Sequence, residues 1–242
     1  MTTTFIALDG ADTTLLTDFT PAPGGGFTAI STKVDAAFNA SNRLRWTGPV
    51  NYQIAQYIYD VAPDSADYTV SVTFRWTFSL ADVNSIRVRS SNVNREGYLL
   101  ALGPTQCTLY EVDSSAVHTV IVTVAYADVG IAASAIDTEY VATLTANGTT
   151  LTGTFRGVEL FSETDATLSG IGYAGIGGQS ASGFGSGCEV TDMTIETLGG
   201  GEHGPGVRII PEGAINKSQI QMHDLSVIAT FPTFKPVVVH PV

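Results

Sequence analysis

Two carboxyl groups facing each other across a sugar, about 5 to 9 Å apart, are the equipment of glycoside hydrolysis. Residues two apart on a strand project to the same side, so Glu111 and Asp113 qualify as the start of such a set. The positions that follow are Ser114-Ser115-Ala116, so no carboxylate completes the acid/base role. Glu189, Asp192 and Glu196 are spaced with the wrong parity for one face of a regular strand and read as a solvated face. A serine nucleophile fares no better, because Gly178-Gln179-Ser180-Ala181-Ser182 lacks the final glycine of a nucleophile elbow and sits in a Gly/Ser-rich stretch. His118, His203, His223 and His240 are scattered without a His-x-x-x-His or Cys-x-x-Cys spacing, so no zinc site is indicated. The chain is expected not to be an enzyme.

Binding chemistry has better candidates. Trp46, Tyr52, Tyr57 and Tyr59 cluster with Asn51, Gln53 and Gln56, and an exposed ring can stack on a pyranose while amides bond its hydroxyls. The competing use of these aromatics is to fill a core or an interface, which is the commoner one. Arg87, Arg89 and Arg95 form the basic concentration of the body and are expected to pair with acidic groups of this chain or a neighbour. The formal charge of −12 would repel a phosphate backbone, which excludes nucleic acid as a partner. No apolar run approaches the ~18 residues of a membrane span, and the first ten residues lack the cationic and apolar regions of a secretory signal. The expectation is a product made and kept in the cytosol, with Cys107 and Cys188 as buried, reduced thiols.

The elements that would position these groups are strands. Only 14% of residues are charged against 44% hydrophobic, the reverse of a disordered chain, and abundant Gly, Thr, Val and Ser suit short strands joined by tight turns. Residues 68–78 alternate apolar and polar over eleven positions, which predicts a strand with one buried face. Residues 99–102 and 107–112 predict a hairpin around Gly103-Pro104, and 140–145 with 149–155 another around Asn147-Gly148. Val120, Val122 and Val124 alternate in a strand expected near a sheet centre. Along 189–198 the phase changes, as a bulge near Thr191 and Asp192 would produce. Residues 170–187 are Gly- and Ser-rich, but a strand rather than a helix follows them, which argues against a phosphate loop. No convincing helix exceeds two turns.

Gly199 to Gly206 combines four glycines before Pro205 with permissive flanks and reads as a linker, dividing a body of residues 1–198 from an extension of residues 207–242. That extension is too short for a core of its own, yet carries Ile209, Ile210, Leu225, Phe231, Phe234 and Val238. Those residues are expected to dock on the body, a sister subunit or another protein.

In order and spacing, these features resemble the concanavalin A-like lectin/glucanase superfamily, which includes laminin-G-like modules. The resemblance covers about residues 1–198 and rests on the Asp- and Gly-rich opening of 9–27, on Tyr68-Thr69-Val70-Ser71-Val72-Thr73-Phe74 and Gly97-Tyr98-Leu99-Leu100-Ala101-Leu102, and on the Asn147-Gly148 hairpin. It ends with Gly172-Tyr173-Ala174-Gly175-Ile176-Gly177 leading into 190–198. It implies an all-β, two-sheet antiparallel jelly-roll sandwich, here with a short C-terminal extension. It also implies a binding or structural module, with glucanase activity confined to branches whose Glu-x-Asp-x-(x)-Glu set this chain lacks. Lectin-like jelly rolls often hold calcium, for which Asp9, Asp12, Asp18, Asp64 and Asp67 are the oxygen-rich loop candidates, although turn acids are the commoner reading. No other cofactor is implied. In overall style the chain also resembles structural proteins of tailed-bacteriophage virions. The first functional expectation is therefore a non-enzymatic virion protein, a capsid decoration protein or tail appendage. It would be a homo-oligomer held to partners such as the major capsid protein by residues 207–242. The alternative is a module that binds a glycan through the region of Trp46 to Tyr59.

Overall fold

Tyr68 to Trp76 is buried at every second residue, from Tyr68 through Val70, Val72 and Phe74 to Trp76. That strand is the axis of a larger sheet. The computed structural model describes residues 2–32, 35–47, 53–77, 83–180 and 188–199, and among them it shows fifteen strands and two 3₁₀ turns of three and four residues.

The eight-stranded sheet runs in the order β13 (Val158–Thr164), β12 (Thr150–Phe155), β11 (Glu139–Asn147), β6 (Tyr68–Trp76), β15 (Cys188–Thr197), β4 (Leu44–Thr47) and β3 (Asp35–Phe38), and β1 (Thr3–Ala7) also pairs with β15. The seven-stranded sheet runs β10 (His118–Ala125), β9 (Gln106–Val112), β8 (Gly97–Leu102), β7 (Val83–Ser90), β14 (Tyr173–Ser180), β5 (Gln53–Tyr59) and β2 (Phe27–Thr32). Every strand pairing is antiparallel. The two sheets share one hydrophobic core, the two-layer arrangement in which each sheet buries one face. At one end of that core Trp76, Phe74, Tyr140, Phe155 and Tyr126 pack ring on ring, Tyr126 stacking on Phe155 at 4.7 Å and Phe74 meeting Trp76 edge-on at 5.0 Å. Each such pair is worth about 0.5–1.5 kcal/mol beyond its area.

The sandwich that the resemblance implies is present, with local agreements and differences. The β8–β9 hairpin forms around Gly103-Pro104, closed by Leu102 opposite Cys107, and the register of β15 on β6 shifts between Val190 and Asp192, where a bulge was expected. The second hairpin turns one residue later than predicted: Asn147 pairs with Thr150, leaving Gly148 and Thr149 as the loop. Gly148 takes φ +55° there, and its N–H donates to the Asp67 carboxylate at 2.8 Å. The strand of Val120, Val122 and Val124, β10, lies at a sheet edge rather than near a centre. A shift between Val120 and Val122 reverses its facing, so Val120 is 56% exposed while Val122 packs on the core. The Gly-rich stretch is a strand over Tyr173–Ser180, and it lies inside its sheet between β7 and β5. No helix among the described residues is long and apolar enough to cross a membrane. Cys107 and Cys188 are both buried. The docking residues assigned to the extension, Ile209, Ile210, Leu225, Phe231, Phe234 and Val238, lie outside the described residues, as does the linker from residue 200 onward.

Candidate functional site

The face of the seven-stranded sheet turned away from the core is read from strand parity. Ile86, Val88, Tyr98, Leu100, Leu102, Cys107, Leu109, Ala174, Ile176, Ala55, Tyr57 and Tyr59 all belong to the core cluster. Their alternates point the other way: Gln56 on β5, Gly175, Gly177 and Gln179 on β14, Ser85 and Arg87 on β7, Leu99 and Ala101 on β8, and Tyr110 on β9. His118 at the start of β10 joins that face, its ring meeting Tyr110 edge-on at 5.6 Å.

Six strands therefore supply one outward surface, and it is not flat. A recess of about 230 Å³ is lined by Val83, Leu99 and Ala101 as apolar floor and by Gln56, Ser85, Tyr110, His118 and Gln179 as polar groups, with the backbone of Gly178 between them. A side chain at Gly177 would lie 2.5 Å from the Ala55 carbonyl and 2.7 Å from the Ser85 hydroxyl, so β14 crosses the face bare. Over that bare strand, Arg87 on β7 reaches Gln56 on β5, its Nη1 donating to Gln56 Oε1 at 2.8 Å. Arg87 also donates from Nε to Ser90 Oγ at 3.1 Å and from Nη2 to the Arg95 carbonyl. Burial, then the charge of Arg95, lower its pKa to about 9. Burial and the same two arginines lower the pKa of His118, which favours its neutral imidazole, one nitrogen donating and the other accepting.

The aromatic residues proposed to stack on a sugar do something else. Trp46, Tyr57 and Tyr59 are 1%, 2% and 1% exposed, so none presents a ring face to solvent. Trp46 donates from Nε1 to Asn84 Oδ1 at 3.2 Å and stacks on Tyr57 at 6.3 Å. The Tyr57 hydroxyl accepts from the Ala36 amide at 2.9 Å, and that of Tyr59 donates to the Gly24 carbonyl at 2.5 Å. They are core residues whose polar tips find partners inside, because each stands on the inward parity of its strand. Tyr52 lies outside the described residues. Gln56 stands on the outward parity of β5, and it does border the recess.

The carboxylates are committed elsewhere. Asp113 accepts from the Ser115 and Val117 amides at 2.9 and 2.8 Å and caps the turn after β9. Glu189, expected on a solvated face, accepts from Asn39 at 2.5 Å and is bridged by Arg75 at 2.7 Å with its side chain only 12% exposed. Asp67 is bound to Arg89 at 3.0 Å, the acidic partner expected for that arginine. Among the described residues no three His, Cys, Asp or Glu side chains converge as a metal set, so no three of Asp9, Asp12, Asp18, Asp64 and Asp67 meet at one point. Among the described residues lining the recess none is a carboxylate.

No protein-family model matches the chain, and no curated protein matches it in sequence. Solved structures do. The chain is similar to the carbohydrate-binding module CBM66 from Bacillus subtilis, with TM-score 0.55 and 13% identity over 72% of this chain and 96% of that one. It is also similar to the exoplasmic/lumenal domain of VIP36 in a Ca2+/Man-bound form, with TM-score 0.53 and 12% identity over 75% and 85%. The potassium-bound carbohydrate recognition domain of Emp46p gives TM-score 0.52 and 11% identity over 71% and 89%. At these identities the likeness establishes the fold. The chain folds as a concanavalin A-like two-sheet antiparallel jelly-roll sandwich.

Proposed function

We propose that this protein is a non-catalytic glycan-binding module whose site is the recess on the outward face of the seven-stranded sheet. The observation that carries this reading is the pairing of an apolar floor, Leu99 and Ala101, with amide, hydroxyl and imidazole groups around it. A sugar ring has the same division, C–H groups on its faces and hydroxyls at its edge. The volume suits one ring rather than a drug-sized ligand, whose pockets start at about 300 Å³. Gln56 and Gln179 can each donate and accept, as vicinal hydroxyls require, and neutral His118 adds a third two-way partner. That the similar folds are carbohydrate-binding and carbohydrate recognition domains supports the same reading. The lack of a carboxylate among the described lining residues supports binding without hydrolysis.

The test is a glycan array followed by titration calorimetry. Tyr110→Ala and His118→Ala should each weaken binding about tenfold or more while leaving the melting temperature near that of the parent, because Tyr110 and His118 stand outside the core cluster. An array with no saturable ligand, or binding untouched by both substitutions, would sink the assignment. The virion reading draws no support from the similar structures, and the segment it depends on lies outside the described residues.

A further inference from the structure

We propose that the sugar accepted by this recess is an acidic one, whose ring carboxylate docks beside Gln56 above the buried guanidinium of Arg87. This rests on the glycan-binding reading and adds the chemical class of the ligand. Its basis is a charge imbalance on the same outward face, where Arg87 is joined to the recess residue Gln56. Arg43, Arg75 and Arg89 each face a carboxylate, at 2.8, 2.7 and 3.0 Å. Arg87 is 0% exposed, and among the described residues it has no carboxylate partner. Its hydrogen bonds go to a hydroxyl, an amide oxygen and a backbone carbonyl, all neutral.

A buried charge without a counter-ion is costly, and the pKa of about 9 keeps this one protonated at neutral pH. Arg95 is likewise without a carboxylate among the described residues, its Nε donating to the Ile30 carbonyl at 3.3 Å. Both arginines act on His118 in the recess: after burial, Arg87 does most to lower its pKa and Arg95 acts in the same sense, against a hydrogen bond with the Ala116 backbone and the charge of Asp113. Gln56 transmits the charge directly. Its oxygen is held by Arg87, it borders the recess, and the adjacent cation polarises its N–H donors. A carboxylate set there supplies the missing anion and accepts from those donors, whereas a neutral hydroxyl supplies only the second. The preference is local, because the chain as a whole carries −12 and repels anions at long range.

The experiment is calorimetric titration of the full chain with glucuronate-, galacturonate- and mannuronate-based oligosaccharides, each beside its carboxyl-reduced counterpart. At least one acidic member should bind tenfold or more tighter than its reduced form, a difference of about 1.4 kcal/mol. Arg87→Met should bring that ratio close to one, Arg87→Lys should retain much of it, and Gln56→Leu should weaken the acidic member more than the reduced one. A ratio of one or below in the parent protein, or an array on which only neutral sugars bind, overturns the acidic preference and leaves glycan binding standing. An array without any ligand removes both. If Arg87→Met fails to fold, the parent's ratio and the Gln56→Leu comparison decide the matter. An unchanged ratio in a folded Arg87→Met also refutes the assignment.

Discussion

Asp165 accepts a hydrogen bond from the Tyr98 hydroxyl at 2.7 Å and another from the Thr167 amide at 2.7 Å, and Tyr98 in turn accepts from the Leu168 amide at 3.0 Å. Burial would raise the carboxyl's pKa, but these bonds to its ionised form outweigh it and hold it below 3.8. A carboxyl depressed on folding stabilises the native state above its unfolded pKa, and that contribution disappears as pH falls through the folded value. Asp165→Asn should therefore be less stable than the parent at pH 6, with the gap closing below about pH 3.8. Urea unfolding at a series of pH values measures it, and a gap that persists into acid would refute the account. Sequence spacing alone did not mark Asp165, because its partner Tyr98 lies 67 residues away in the chain. Gln56 was named only as a companion of aromatic rings, and Trp46, Tyr57 and Tyr59 were offered as sugar platforms. Residue type is the same for a ring in a core and a ring on a surface. Only strand parity, with Gln56 outward and its two tyrosine neighbours inward, separates them.

At the scale of elements, β14 decides the most. Its composition suggests a loop, since glycine weakens a strand by entropy and offers no side chain to pack. Here the neighbours demand it. A Cβ at Gly178 would stand 1.9 Å from Trp46 Nε1, and Trp46 cannot retreat because it is 1% exposed, hydrogen-bonded to Asn84 and stacked on Tyr57. Gly178→Ala should cost about 1–3 kcal/mol or more through overpacking. Gly148→Ala meets nothing within 4 Å and pays only for φ +55°, about 1–2 kcal/mol. Guanidinium denaturation of both variants tests the ranking; equal losses would show that β14 has room. The β6 strand and the β8–β9 hairpin were legible because alternation and a Gly-Pro turn are local signals. Strand β7 was not, because it is buried along nearly its whole length and shows no alternation to read. Ser85 and Arg87 are covered on a face where exposure is the rule.

For the whole molecule, Cys107 on β9 and Cys188 on β15 lie in different sheets of the sandwich, both in its core. Burial, with smaller opposing hydrogen bonds, pushes the Cys107 thiol up to about 11, so at neutral pH it is neither ionised nor accessible, the two conditions for reaction. An aromatic disulfide reagent should label neither cysteine of the native protein over minutes and both once urea opens the sandwich. Rapid labelling of either in the native state would mean that the core opens locally. Composition, alternation and turn residues by themselves determined that this chain is built of short strands joined by tight turns, because those signals act within a few residues of one another. Which face is bare, that Arg87 reaches across it to Gln56 and that Gln56 and His118 share one recess were decided only by the tertiary structure. Those facts depend on the register of β5, β14, β7, β8, β9 and β10, and pairing across some 120 residues leaves no mark in the local pattern of any one strand.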